Sequence, residues 1–202
     1  MSNLYNEALY IFPDTILYGS FLMGLTTLSS VHTTFFMSIL ISLLALFGLQ
    51  TGTSFLYGSK LSEFKCKPQL FKYTFEQLFI RPSASSPSYA VYLVSFACAY
   101  LASSLYMLKD ELDVLDISDL KQYYISIGTL FAIAFLYLMF RLTTECDSLG
   151  SATSGFVFGA LIGVAIVNMN VTLYGKESIN FLGIPLLRNK TADGDPIYIC
   201  SK

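Results

Sequence analysis

The chain has 202 residues, 54% of them hydrophobic and only 13% charged, with a formal net charge of −2 and a mean hydropathy of +0.58. Soluble domains carry about 25% charged residues, so this composition excludes an ordinary water-soluble core. It also excludes a disordered chain, which is poor in aromatics, and a nucleic-acid binder, which needs a basic field.

The N-terminal segment, residues 1–14, contains no Lys or Arg. It matches neither a secretory signal with a basic start nor an Arg-rich transit peptide, so any targeting signal is expected to be internal. From Thr15 to Ser59 there is no charged residue. A spanning helix needs about 20 apolar residues, so this stretch predicts a weaker span at 15–31 and a strong one at 35–57. The break is expected at the polar group Ser29, Ser30, His32, Thr33 and Thr34. The basic connection from Lys60 to Ser88 carries Phe71, Phe75, Leu78 and Phe79 at helical spacing, which predicts a short interfacial helix. Its end, Arg81 to Ser88, reads as a rigid loop. Further spans are predicted at 89–108, 122–140 and 148–174. Residues 175–202 form a polar tail, with a turn at Asp193 to Pro196. The expected fold is an all-α membrane bundle over residues 15–174, with four strong transmembrane helices and a weaker fifth.

The connection between the second and third strong spans begins in an acidic run. Asp110, Glu111, Asp113, Asp116 and Asp119 stand against Lys109 and Lys121. A solvated loop is the plain reading, and a cation or a basic partner loop is the alternative. Basic residues divide six and six between the two sides, so the positive-inside rule is silent. The acids alone would place the basic connection on the negative side.

Chemistry-bearing residues are few. His32 is the one histidine. Metal and haem sites need further ligands at suitable spacing, so it is expected to cap or join helices. Cys66, Cys98, Cys146 and Cys200 form no CxxC pair and are expected to be free thiols packed as small apolar groups. Arg81-Pro82, Ser86-Pro87-Ser88 and Arg141 faintly follow a lipid-phosphatase signature, but that chemistry uses one His as nucleophile and another as acid. No catalytic, cofactor or metal residue is assigned. A structural phospholipid is the one small molecule the composition suggests. The strong spans carry no charge away from their ends, which argues against a pump or ion-coupled transporter.

The most specific pattern is a row of small residues four apart, Ser151, Gly155, Gly159 and Gly163. Such a face lets another helix approach closely. Gly48 and Gly52 form a second pair in the first strong span. Just upstream, Arg141 and Asp147 frame the loop before the last span and are expected to hold it by charge-assisted bonds.

The run from Arg141 through Asp147, Ser151 and Gly155 to Gly159 resembles the loop and last helix of the mitochondrial inner-membrane protein-import translocase family. Gly48 and Gly52 are similar in kind to that family's first glycine-rich helix. The resemblance covers about one fifth of the chain. It departs at Gly150, where the family often has Asn. It implies a four-helix membrane fold in the mitochondrial inner membrane, and the family includes a small accessory subunit of respiratory complex I. The expected function is therefore a non-catalytic accessory subunit of a respiratory complex, with other membrane subunits and lipids as partners and no nucleic acid. The alternatives are a translocase component and a scaffold of a viral or plastid envelope.

Overall fold

A computed structural model describes residues 2–57, 86–114 and 120–183, and these form helices joined by turns. The long helices are α1 (Ser2–Thr27), α2 (Ser30–Tyr57), α3 (Tyr89–Met107), α5 (Leu120–Thr143) and α6 (Leu149–Tyr174). A short α4 (Lys109–Val114) follows α3, and a single 3-10 turn (Lys176–Ile179) follows α6. Among the described residues, five helices are long and apolar enough to cross a membrane. The described residues are thus helical apart from turns, and their long apolar helices have the character of a multi-pass membrane protein. The interfacial helix predicted around Phe71 to Phe79 and the turn at Asp193 to Pro196 lie outside the described residues.

The first span differs from the sequence expectation. α1 begins at Ser2, so it takes in most of the stretch read as a separate N-terminal segment. Its break with α2 falls at Leu28 and Ser29, earlier than predicted, and His32, Thr33 and Thr34 lie inside α2. The threonines do not break the helices because their hydroxyls bond back to carbonyls of their own helices. Thr26 donates to the Leu22 carbonyl at 2.8 Å, Thr27 to that of Met23 at 2.6 Å, and Thr33 to that of Ser29 at 3.1 Å. A hydroxyl satisfied this way needs neither water nor a turn. The reversal is made instead by Leu28, whose φ is 48°.

α1 and α2 turn polar residues inward among the apolar ones and leave large apolar side chains on their outer faces. On α2 the buried face carries Ser38, Ser42, Leu46 and Gln50, four residues apart, with Ile39 beside them, while Leu40, Ile41, Leu44 and Phe47 point outward. On α1 the buried stripe holds Asp14, Leu17 and Ser20, and Tyr18, Phe21, Leu22 and Leu25 are exposed. In water this pattern would be reversed; in lipid, apolar surface costs nothing and polar groups need internal partners.

α3 is the central helix. Residues 89–98 are buried without interruption, as befits a helix apolar on all sides. Its neighbours are bonded to it by polar side chains. Tyr92 donates its hydroxyl to the Ser42 carbonyl at 2.8 Å. Asn170 of α6 donates to both the Ser38 and Tyr100 hydroxyls at 2.9 Å, so one amide joins α2, α3 and α6. Side-chain bonds between membrane helices contribute about 0.6–2 kcal/mol each. Asn170→Ala is therefore expected to lower stability by about 1–3 kcal/mol, seen as an earlier thermal midpoint in detergent. An unchanged midpoint would count against this three-helix joint.

Candidate functional site

The residues singled out in the sequence converge where α3 and α6 begin. α5 ends in a turn that returns the chain tightly: the Glu145 N–H donates to the Leu142 carbonyl at 3.1 Å and the Cys146 N–H to the Arg141 carbonyl at 3.1 Å. This is the double bond pattern of a helix end with one left-handed residue, here Glu145 at φ 53°. Three residues on, the Ser148 hydroxyl accepts from the Ser151 N–H at 3.2 Å and caps α6. The loop between the two helices is thereby short and closed.

That closure sets Asp147 beside Arg141. The Arg141 Nε donates to Asp147 Oδ2 at 2.6 Å, with side-chain exposures of 5% and 11%. The Ser88 hydroxyl donates to the same oxygen at 2.9 Å. The carboxylate therefore joins the end of α5, the start of α6 and the start of α3. The chain entering α3 is held by further bonds. The Ser88 N–H donates to the Ser151 carbonyl at 3.0 Å. Gln50 of α2 donates to the Pro87 carbonyl at 2.8 Å, and Thr53 to the Ser86 carbonyl at 2.6 Å.

From this joint α3 and α6 run parallel with matched four-residue rows. A Cβ built on Gly155 would lie 2.8 Å from the Ser88 carbonyl oxygen, and one on Gly163 would lie 2.8 Å from that of Phe96. A Cβ on Gly159, between them, would fall on the Tyr92 carbonyl. Ser151 is buried at the head of the row. The partners are backbone, so a side chain could be admitted only by moving a helix.

Gly48 and Gly52 behave differently. No heavy atom among the described residues lies within 4 Å of a Cβ placed on either, and both face outward on α2. They make no close approach among the described residues, because the buried side of α2 is the Ser38 to Gln50 row.

The first span extends over charged residues that its expected start at Thr15 left outside. Glu7 and Asp14 are both buried, and Asp14 stands in the middle of the helix. The Tyr89 hydroxyl donates to Asp14 Oδ1 at 3.3 Å. Sequence reading missed both because it treated charge as the limit of a span. Their seven-residue spacing, two helical turns on one face, was the available signal.

Two further expectations change. Cys146 is disulfide-bonded rather than a free thiol, with its partner outside the described residues; Cys98 is free and buried. Glu111 of the acidic run, read as solvated, accepts from Lys176 at 2.7 Å and ties α4 to the turn after α6. His32 is half-buried, with its ring edge-on to Phe181 at 5.9 Å, and its Nδ1 has no hydrogen-bond partner among the described residues. Among the described residues no group of three or more His, Cys, Asp or Glu could hold a metal ion.

Two apolar clefts open on the outer surface. One, of about 220 Å³, lies between α3, α5 and α6 and is lined by Ala99, Ala102, Phe131, Ala160 and Val164. The other, of about 380 Å³, lies between α1 and α5 beside Leu9, Phe12, Leu136 and Phe140. No family model matches the chain, and no curated protein or solved structure matches it either.

Proposed function

We propose that the chain is a non-catalytic structural subunit of a mitochondrial inner-membrane respiratory complex, complex I in particular, where it bridges and stabilises neighbouring membrane subunits. The observation that carries this reading is the Arg141–Asp147–Ser88 joint with the Gly155, Gly159 and Gly163 contact. The residues that support the family resemblance are the ones that hold the central helices together. In this reading the outward apolar faces meet lipid and partner helices. Gly48 and Gly52 offer a neighbouring subunit the close approach they do not use internally. The two clefts suit the acyl chains of a structural phospholipid. Extraction in mild detergent followed by native electrophoresis tests the proposal. The chain is expected to migrate with a large assembly and its subunits; migration only as a free small protein would overturn it.

A translocase component is the second reading, and Asp14 favours it. A path for polypeptides through a bilayer needs polar, often acidic, groups at depth, and α1 carries a carboxylate near its midpoint, turned inward to Tyr89. Intramembrane acids mark functional paths more often than packing. Crosslinking an arrested precursor to positions beside Asp14 or Gly155 would favour this reading over the first.

A further inference from the structure

We infer that the end of the bundle carrying the Cys146 loop faces the oxidising side of its membrane, with the acidic connection and the C-terminal tail on the other. The inference rests on the multi-pass reading but not on which membrane is involved. Cys146 is disulfide-bonded in the short loop between α5 and α6. Forming such a bond removes two electrons and two protons from a pair of thiols and passes them to a disulfide-bearing oxidoreductase. Compartments that keep such an oxidant lie on one side of a membrane, while the cytosol and similar spaces keep thiols reduced.

The hydrogen bonds show which other segments share that end. Asp147 and Ser151 of the loop and α6 bond Ser88, so α3 begins there. Gln50 and Thr53 bond the Pro87 and Ser86 carbonyls, so α2 ends there. The connection from residue 58 to residue 85 therefore leaves and returns on the oxidising side, and the N-terminus of α1 lies on it as well. The opposite end holds the Leu28–Ser29 turn and the Glu111–Lys176 ion pair. Chain order places Cys66 in the connection on the Cys146 side and Cys200 in the tail that follows α6. This orientation reverses the one suggested by the acids alone. Positive charges are evenly divided and carry no vote, whereas structural disulfides persist in oxidising compartments and are rare in reducing ones.

The test uses the full chain in its own membrane. Thiols are trapped with N-ethylmaleimide before lysis, and peptides are mapped with and without reduction. The Cys146 peptide is expected to be linked to the Cys66 peptide and to take up label only after reduction. In sealed vesicles with the oxidising face outward, an impermeant reductant followed by an impermeant maleimide should label Cys146. A Leu182→Cys probe in a Cys200→Ser background should be labelled only after permeabilisation; Leu182 is 55% exposed at the opposite end. A Cys146 thiol trapped free in intact membranes would overturn the inference. So would linkage to Cys200, or labelling of Leu182→Cys from the oxidising face. Because this readout is the face and not the organelle, orientation can hold even if fractionation places the chain outside mitochondria.

Discussion

Gly159→Leu is expected to separate α3 from α6 and to cause the largest loss of stability of any single change in the row. A Cβ there meets the Tyr92 carbonyl, and the next atoms of a leucine would have to displace one helix from the other. Over-packing costs about 1–3 kcal/mol where side chains can yield. Here the neighbour is backbone, so a loss of at least about 3 kcal/mol is expected, on the order of 10 °C in thermal midpoint. Gly48→Leu is the matched control. No heavy atom among the described residues lies within 4 Å of a Cβ on Gly48, and such substitutions usually stay within about 0.5 kcal/mol. The isolated protein carrying Gly48→Leu should melt like the parent. If it melts normally yet no longer enters a large assembly on native gels, the outward glycine pair serves a neighbour. If Gly159→Leu melts like the parent, the α3–α6 contact is not what holds the bundle.

Asp147→Ala is expected to loosen three helix ends at once. It removes the 2.6 Å contact with Arg141 and the 2.9 Å bond from Ser88. Removing one partner of a buried pair costs about 3–5 kcal/mol, mostly because the remaining charge stays desolvated. The double variant Arg141→Met with Asp147→Ala should recover part of that loss, since it removes the buried charge along with its partner. Thermal melting of the two variants beside the parent measures this coupling. Equal losses in the single and double variants would mean that Arg141 is satisfied without Asp147 and that the loop is closed by its backbone bonds alone.

Much of the architecture was legible from charge alone. Runs without Asp, Glu, Lys or Arg marked the helices that became α2, α3, α5 and α6. Lipid-facing segments cannot carry charge cheaply, and the segments between them cannot avoid it. The same rule failed at α1. A lone carboxylate in lipid is costly, which sets Glu7 and Asp14 outside an expected span, yet both are buried against the bundle, where Tyr89 reaches Asp14. The break expected at Ser29, Ser30, His32, Thr33 and Thr34 falls at the start of that group, at Leu28 and Ser29. Thr26, Thr27 and Thr33 turn their hydroxyls back onto carbonyls four residues earlier, a choice that residue type does not reveal.

The glycine rows show the same division. Two sets with the same four-residue spacing, Gly48 and Gly52 against Gly155, Gly159 and Gly163, look alike in the sequence. Spacing gives a common face but not its neighbour. Helix rotation decides that, and the rotation of α2 is set by the Ser38, Ser42 and Gln50 bonds that turn its glycines outward.

The sequence by itself determined the apolar helices that fit a multi-pass membrane protein, where most of them run, and that Arg141, Asp147 and the last glycine row belong together. Local rules suffice there, since hydropathy, helical period and loop length act over a few turns of chain. Only the tertiary structure decided that α3 is the centre, that α1 buries two acids, that one glycine row is used inside and the other left open, and that the Cys146 end is crosslinked. Each of those depends on which helix stands opposite which. That is settled by pairing polar groups between segments tens of residues apart, and no local pattern records it.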